Sequence, residues 1–350
     1  MVQRITIEDG LSLYNKTGIG QYTENLYNLF TLMGYKVNLK RKPFLEKIKN
    51  SVIKRFLYIL WINIIFPIKI IFDKSDKIIF TNTITPLFKI PGKKYYPVLH
   101  DLWSVKSNNT VTLSQSIYLK IVLFSIKHNY EKIITVSETI KKEIVEYFNC
   151  KDKDVNVIYN YFSFGEKPSI YIDEEEQEKI LQKYNLKNKK YILSVATLNK
   201  RKNIPMLIEA FNKLKPEDIK LVLVGKASSE KFNCTNENII FTGYIGDEEL
   251  KVLYKNALLY VFPSVYEGFG IPIIDAQSFG IPVLCSDISV FHEIGGDSVE
   301  YFTQENLIQK LQYTLEQPKY RENLINCGYR NIEKYSKENI KEQLQFVLLQ

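Results

Sequence analysis

The 350-residue sequence is poor in the residues that build disulfide frameworks and metal centres. It holds four cysteines and three histidines, none at paired or metal-ligand spacing: Cys150, Cys234, Cys285, Cys327, His100, His128 and His292. We therefore expect reduced structural thiols in a protein of the cytoplasm, and no zinc site. The first residues run directly into a strand-like stretch, so we expect no signal peptide.

The sequence also lacks an apolar run long enough to cross a membrane. The longest, 56–72, has 17 residues and is interrupted by Asn63, Pro67 and Lys69, whereas a spanning helix needs about 20. The most basic stretch of the chain, 36–55, immediately precedes it. Together, 36–72 predicts a helix lying on an anionic membrane surface. The alternative is a core helix after a solvated basic loop; we do not expect nucleic-acid binding, because no reader motif accompanies these cations.

Acidic residues are scarce in the first half of the chain. Residues 1–170 contain 25 Lys/Arg against 14 Asp/Glu, whereas 171–350 contain 22 against 25. Such an asymmetry indicates that the first half faces an anionic partner.

Short β-branched runs alternate with helical segments along both halves. Examples are the strand-like 77–82 and 132–137 and the helix-like 137–148 in the first half, then 191–197 and 203–214 in the second. The charged stretch 161–190 interrupts this alternation, so we expect the domain linker there. The fold predicted is α/β, with two doubly wound Rossmann-like domains facing a central cleft.

The stretch SVYEGFGIPIIDAQSFGIPVL, residues 264–284, indicates a ligand site. Pro272 suits the first turn of a helix that Gly280 ends, so the amides of 268–271 lie at a helix N-terminus, where a phosphate binds well. Glu267 is placed to accept hydrogen bonds from sugar hydroxyls, and Asp275 from a ribose. An ordinary capped helix explains Asp275 but gives no reason for Glu267 or the glycines.

This stretch resembles the signature of the retaining nucleotide-sugar glycosyltransferases of glycosyltransferase family 4, which have the GT-B fold. Here it is Glu267-Gly268-Phe269-Gly270-Ile271-Pro272-Ile273-Ile274-Asp275, with Asp275 where the family has a second glutamate. The resemblance covers nearly the whole chain. It implies an acceptor-binding domain over 1–165, a nucleotide-sugar domain over 166–334, and a last helix, 335–350, that packs back on the first domain.

The resemblance also implies roles for individual residues. Glu267, His100 and Lys202 are expected to be catalytic, with Lys202 on the donor diphosphate, His100 opposite Glu267 across the cleft, and Asp101 on the acceptor side. The expected donor-binding set is Gly18, Gly20, Arg201, Lys202, Gly225, Ile245, Gly268, Phe269, Gly270, Ile271 and Asp275. Ala196 stands where the family has a turn glycine.

The activity implied is transfer of a hexose, with mannose favoured, from GDP-mannose or a UDP-hexose to a hydroxyl of a lipid-linked oligosaccharide. Its setting would be bacterial surface polysaccharide synthesis at the inner face of the cell membrane. The acidic runs 173–176 and 247–249 are not Asp-x-Asp triplets, so we expect no metal and no other cofactor. Two alternatives stay open: a nucleotide-sugar epimerase of GT-B fold, and a degenerate protein that binds nucleotide sugars without turnover.

Overall fold

The chain divides into two compact units in the computed structural model. Unit 1 comprises Met1–Asn160 with Lys337–Gln350, and unit 2 comprises Tyr161–Ser336. The structure describes residues 3–9, 18–40, 42–48, 50–107, 112–130, 132–162, 172–226 and 235–349. The helix Lys337–Leu349 therefore belongs to unit 1, although it follows all of unit 2 in the sequence.

Unit 1 is built on a six-stranded parallel sheet with strand order β2-β1-β3-β4-β5-β6. The strands are β1 (Arg4–Glu8), β2 (Lys36–Leu39), β3 (Lys77–Phe80), β4 (Lys94–Leu99), β5 (Ile133–Thr135) and β6 (Val155–Val157). The helices are α1 (Gly18–Leu32), α2 (Pro43–Glu46), α3 (Ser51–Leu60), α4 (Phe66–Ile71), α5 (Trp103–Lys106), α6 (Leu113–Asn129) and α7 (Glu138–Phe148), and α15 is Lys337–Leu349. A π-helical turn, Trp61–Ile65, joins α3 to α4.

Unit 2 repeats the architecture with strand order β12-β11-β10-β7-β8-β9, again all parallel. Its strands are β7 (Lys190–Val195), β8 (Ile219–Val224), β9 (Ile239–Gly243), β10 (Leu259–Phe262), β11 (Val283–Ser286) and β12 (Glu300–Phe302). Its helices are α8 (Glu174–Lys183), α9 (Ile204–Leu214), α10 (Asp247–Lys255), α11 (Ile271–Ser278), α12 (Ser289–Gly295), α13 (Leu307–Glu316) and α14 (Pro318–Ile332).

Local sequence explains where these elements begin and end. Ser137 caps α7 by accepting from the amide of Ile140 at 3.2 Å, and Gly34 (φ +80°) and Gly280 (φ +68°) follow the ends of α1 and α11. The strands β1, β3, β7 and β10 are mostly buried on both faces, as expected of parallel sheets covered by helices. The predicted alternation of strands and helices is therefore confirmed.

Two charged stretches of the sequence form regular structure. The basic stretch 36–55 is not one loop or helix, since Lys36–Leu39 is the edge strand β2 and Lys42 is buried. The charged stretch 161–190 contains the helix α8, whose first turn is acidic and which Asp173 caps through the amide of Glu176 at 2.7 Å. Helix α8 belongs to unit 2.

Candidate functional site

The strand order of unit 2 places a ligand site by topology alone. The chain winds outward from β7 in one direction and from β10 in the other, so these adjacent strands form the switch point of the sheet. Ligands of open α/β sheets bind in the crevice that such a switch point leaves at the carboxyl ends of the strands. The loops that follow β7 and β10 carry Lys202 and Glu267.

The two loops are joined at both backbone and side chains. The amide of Val265 donates to the carbonyl of Arg201 at 2.9 Å, and the ammonium of Lys202 forms an ion pair with the carboxylate of Glu267. Both side chains are about nine-tenths buried, with exposures of 13% and 10%. Lys202 Nζ also lies 5.0 Å from the centre of the Phe262 ring, a cation–π contact that holds the ammonium over the end of β10.

The surroundings of Glu267 keep it ionised. Burial by itself would raise the pKa of this carboxyl, but the positive charges of Lys202 and Arg201 and the hydrogen bond from Lys202 outweigh it, so the pKa of Glu267 is lowered. A buried carboxylate whose pKa is shifted by specific charged partners marks a candidate functional site.

Helix α11 begins immediately after this loop. Its N-cap, Gly270, has φ +119°, and an added Cβ would lie 3.3 Å from the Phe291 ring, so only glycine fits without strain. The Phe269 ring is buried edge-on against Tyr335, with centroids 5.6 Å apart. Gly268, Phe269 and Gly270 are buried and Ile271 is partly exposed; these are the amides that the sequence assigned to phosphate.

Asp275 is buried within α11, with 5% exposure. It lies near Tyr254 and Tyr260, and its charge adds to the effect of burial in raising the pKa of both phenols. The helix is held from its far side, because Gln277 Nε2 donates to Ser298 Oγ at 2.7 Å and Asn331 donates to Gln277 Oε1 at 2.9 Å. Buried amides thus fix the position of the helix that carries Asp275.

Gly225 and Ile245 lie on the same edge of the sheet, after β8 and β9. The amide of Gly225 donates to the carbonyl of Gly243 at 3.0 Å, and the amide of Ala196 donates to the carbonyl of Val224 at 2.9 Å. An added Cβ on Gly225 (φ +142°) would lie 1.9 Å from the carbonyl oxygen of Ala196. The loops after β7, β8 and β9 therefore form one hydrogen-bonded rim, in which Ile245 is buried.

In unit 1 the predicted residues lie at the carboxyl edge of the other sheet. His100 follows β4, and its Nε2 is 2.9 Å from the carbonyl oxygen of Thr81. Because a carbonyl oxygen can only accept a hydrogen bond, Nε2 carries the hydrogen, and Nδ1 of the neutral imidazole carries the lone pair. Burial lowers the pKa of His100, against the opposing effects of that carbonyl and of Asp101. Asp101 accepts from the amide of Trp103 at 3.0 Å.

Gly18 and Gly20 form the first turn of α1, and the loop before them, 10–17, falls outside the described residues. Thr23, in the next turn, donates to Thr81 Oγ1 at 2.7 Å. The end of β3 thus joins the start of α1 to His100. His100 and Glu267 belong to different units, so the expectation that they face each other stays a prediction.

A buried charge cluster at the same edge of unit 1 was not predicted, and Lys42, counted among the cations of the basic stretch 36–55, belongs to it. Lys42 Nζ lies 2.6 Å from both Glu8 Oε1 and Asp9 Oδ1 and 4.6 Å from the Trp61 ring. Burial would lower the pKa of Lys42, but the two carboxylates outweigh it and raise the pKa. The signal was available: two acids close the strand-like 4–9, and a buried acid requires a partner.

An Asp-x-Asp triplet, which the sequence analysis overlooked, is present at Asp152-Lys153-Asp154. It forms a 3₁₀ turn before β6, at the amino end of that strand. Asp152 pairs with Lys141 at 2.8 Å, and Asp154 accepts from the amide of Lys151 at 3.2 Å. Its acids therefore serve a local turn, away from the carboxyl edge that carries His100. No cluster of three metal-ligating side chains occurs in the described part of the chain.

Residues 176–331 match the model of the family described as glycosyl transferases group 1. Unit 2 carries a glycosyl transferases group 1 domain. The loop of Lys202, the loop of Glu267 and helix α11 all lie within this domain. The resemblance to glycosyltransferases read from 264–275 is confirmed for this domain.

Relatives of the chain are named as glycosyltransferases. The uncharacterized glycosyltransferase MJ1607 of Methanocaldococcus jannaschii is 31% identical over 227 residues, covering 61% of this chain and 58% of that protein. O-antigen chain mannosyltransferase B of Escherichia coli is 32% identical over 227 residues, covering 60% and 58%. The matched part therefore spans less than two thirds of these relatives.

Solved structures share the fold over the full chain. HepE of Anabaena, crystallised with UDP and glucose, superposes with a TM-score of 0.71 at 14% identity, covering 99% of both chains. WaaG, a glycosyltransferase involved in lipopolysaccharide biosynthesis, also gives 0.71, at 17% identity and 99% coverage of both. The predicted GT-B fold with two Rossmann-like units is confirmed.

The described cysteines, Cys150, Cys285 and Cys327, form no disulfide.

Proposed function

We propose that the chain is a retaining glycosyltransferase that moves a hexose, with mannose favoured, from a nucleoside-diphosphate sugar to an acceptor hydroxyl. The observation that carries the proposal is the buried Lys202–Glu267 pair at the switch point of the group 1 domain, next to the N-terminus of α11. An ammonium and backbone amides suit a diphosphate, and a fixed carboxylate suits sugar hydroxyls.

The chemistry asked of the site is stabilisation of a leaving diphosphate. The acceptor oxygen bonds to the anomeric carbon as the bond from that carbon to the phosphate oxygen breaks. The acceptor proton passes to the departing phosphate on the same face, and configuration is retained. Lys202 and Arg201 balance the charge that develops on the diphosphate. Glu267 holds the sugar hydroxyls and does not attack the anomeric carbon.

Asp275 is proposed to bind the ribose, and Gly225 and Ile245 to receive the base. The rim formed by the loops after β7, β8 and β9 runs outward from Lys202 along the carboxyl edge, which gives an extended nucleotide a continuous surface. Mannose from GDP-mannose is favoured by the similarity to O-antigen chain mannosyltransferase B. Unit 1, with His100 and Asp101, is proposed to bind the acceptor, a lipid-linked oligosaccharide at the inner face of the cell membrane.

Two measurements test the proposal. A thermal-shift series with GDP, UDP, ADP and dTDP identifies the base, since stabilisation grows as RT ln(1 + [L]/Kd) and reaches about 2.7 kcal/mol at 100 Kd. The protein is then incubated with the matching nucleotide sugars, with and without a polyprenyl-diphosphate oligosaccharide. Acceptor-dependent release of the nucleoside diphosphate and an α-linked product support transfer.

Other results contradict it. A new free nucleotide sugar without acceptor consumption indicates an epimerase, and binding without turnover indicates a degenerate protein. Turnover that EDTA abolishes and Mg²⁺ restores contradicts the expectation of a metal-free reaction.

A further inference from the structure

The helical segment 51–71 is apolar on two opposite faces. One face, with Tyr58, Trp61, Ile62, Phe66 and Ile70, is fully buried in unit 1. The other carries Phe56, Leu60, Ile64, Ile68 and Phe72 at spacings of four residues, all exposed, with Phe72 81% exposed. A surface helix normally turns a polar face to water, so a second apolar face indicates a nonaqueous partner.

Helix α6 presents a second stripe of the same kind. Leu113, Ile117, Ile121 and Phe124 follow each other at spacings of four, four and three residues and are exposed, whereas Val122, Leu123 and Ile126 are buried. The membrane contact predicted from the sequence covered 36–72 and did not include this helix. The two stripes together form what we call the two-helix face.

Hydrogen bonds join the two stripes side by side. Asn63 Nδ2, between Leu60 and Ile64, donates to Tyr118 Oη at 3.0 Å, and Asn63 Oδ1 accepts from the amide of Leu87. Ser125 of α6 donates to the carbonyl of Leu87 at 2.7 Å. The next residue, Phe88, is 76% exposed and follows Leu87, which bonds to both segments.

The charges of these segments are of one sign. Residues 47–72, 84–97 and 102–130 contain no Asp or Glu, but they contain eleven Lys and Arg residues. Lys69, Lys120 and Lys127 are exposed on the helices of the two-helix face. An apolar surface with a cationic rim matches a bilayer with anionic headgroups. A second copy of the chain fits poorly, because a symmetric contact would place like charges together.

We propose that the two-helix face inserts into the surface of an anionic membrane, with the segment 51–71 and α6 both lying in the plane of the interface. No helix among the described residues is long and apolar enough to span a bilayer. The segment 51–71 is about 30 Å long at 1.5 Å per residue, so it offers a long contact without crossing. This inference rests on the proposed function in one respect, because a lipid-linked acceptor gives the enzyme a reason to bind a membrane. Membrane binding itself needs neither the donor nor turnover.

Vesicle flotation of the whole chain tests the inference. We expect the protein to float with phosphatidylcholine vesicles containing 30% phosphatidylglycerol at low salt, and at least tenfold less with phosphatidylcholine alone. Changing Ile64→Ser together with Ile68→Ser, or Ile117→Ser together with Ile121→Ser, is expected to lower partitioning at least tenfold. The matched control is Leu32→Ser with Phe346→Ser, two exposed apolar residues of unit 1 outside the face, which should float like the wild type.

Fluorescence shows which helices enter the lipid. Phe56→Trp and Phe124→Trp add one probe to each stripe. Bromine-labelled lipid should quench the fluorescence of both variants more than that of the wild type, which has two tryptophans. The control Leu32→Trp should show no quenching beyond that of the wild type. Wild-type protein that remains unbound at low salt overturns the proposal, as does quenching of Phe56→Trp alone. A concentration-dependent dimer that persists with vesicles and masks both probes also overturns it.

The outcome for the membrane and the outcome for catalysis can be separated. Wild-type protein that fails to float but keeps nucleotide-induced stabilisation and transfer overturns the two-helix face alone. Flotation without any transfer overturns the proposed function alone.

Discussion

At the residue scale, the structure pairs the ionisable groups that the sequence presents singly. Lys202 meets Glu267 in unit 2, and Lys42 meets Glu8 and Asp9 in unit 1. The first pair lies at the switch point and is therefore available to a ligand, whereas the second is fully buried under Tyr58 and Trp61. The same residue types thus have different expected roles, one in binding and one in stability.

Replacing Lys202 is expected to remove transfer while the fold survives. Removing one preorganised hydrogen-bond donor to a developing negative charge costs about 10²–10³-fold in kcat, and we expect Lys202→Ala to fall in that range. Lys200→Ala, an exposed neighbour on the same turn, is the matched control and should keep near-wild-type kinetics. Equal activity of the two variants would contradict the assignment of Lys202.

Glu267 provides a pH test of the same pair. Because its folded pKa lies below the ordinary 4.5, the pair stabilises the protein above that value, and the stabilisation is lost as pH falls through the lowered pKa. The difference in melting temperature between the wild type and Glu267→Gln should therefore be constant near neutrality and shrink in acid. A difference that grows below pH 4.5 would show that the pKa of Glu267 is raised instead.

Replacing Lys42 is expected to destabilise unit 1 strongly. Lys42→Met leaves two buried carboxylates without their cation, and breaking a buried pair costs about 3–5 kcal/mol. Lys183→Met, which removes an exposed ammonium paired with Glu249, should leave the unfolding temperature unchanged. Because the folded pKa of Lys42 is raised, its contribution is present at neutral pH and is lost only in alkali, as pH rises through that value.

At the scale of elements, the site depends on where loops leave strands. The carboxyl ends of β7, β8 and β10 are held together by backbone hydrogen bonds of the 196–202 and 225 loops, and α11 is fixed by the buried Gln277–Asn331 contact. Residues outside the proposed ligand contacts therefore set the geometry of the residues proposed to bind.

Gly225→Ala tests the rim. The new methyl group would overlap the Ala196 carbonyl, and φ +142° is strained for alanine, so the loops after β7 and β8 must separate. We expect a lower melting temperature and at least tenfold weaker nucleoside-diphosphate binding by calorimetry. Gly246→Ala, where nothing lies within 4 Å of the added Cβ, is the control; similar losses in both variants would exclude a specific role of the rim.

Much of the fold and of the group 1 domain could be predicted from the sequence because their signals are local. Strand β10, the glycine turn and α11 follow one another within twenty residues, and each boundary has a chemical cause such as Pro272 or Gly270. The two acids that close the strand-like 4–9 indicate a need for a cation, but Lys42 could not be identified as that cation, because it is 34 residues from Glu8. The exposed apolar stripe of α6 was equally hidden, since its core-facing and surface-facing residues are both apolar.

At the scale of the whole molecule, unit 1 is discontinuous and unit 2 is continuous. Helix α15 supplies Ile340, Leu344 and Val347 as buried residues, each no more than 2% exposed, and Gln343 accepts from the amide of Tyr159 at 3.1 Å. Unit 1 therefore needs both ends of the chain for a complete core.

Fragments test this difference. Residues 161–336 should unfold cooperatively and keep nucleotide-induced stabilisation, because that fragment contains the whole group 1 domain. Residues 1–160 should lack a cooperative transition, and joining 337–350 to them through a flexible linker should restore one. A sharp transition in 1–160 alone would show that α15 is dispensable to unit 1.

The position of α15 has a consequence for synthesis in the cell. Domains generally fold from the N-terminus as they leave the ribosome, at about 5–20 residues per second. Here the first 160 residues wait until the 176 residues of unit 2 have been made, roughly 10–35 s at those rates. The half of the chain that emerges first is thus the last to be completed, and during that interval its apolar helices are open to chaperones.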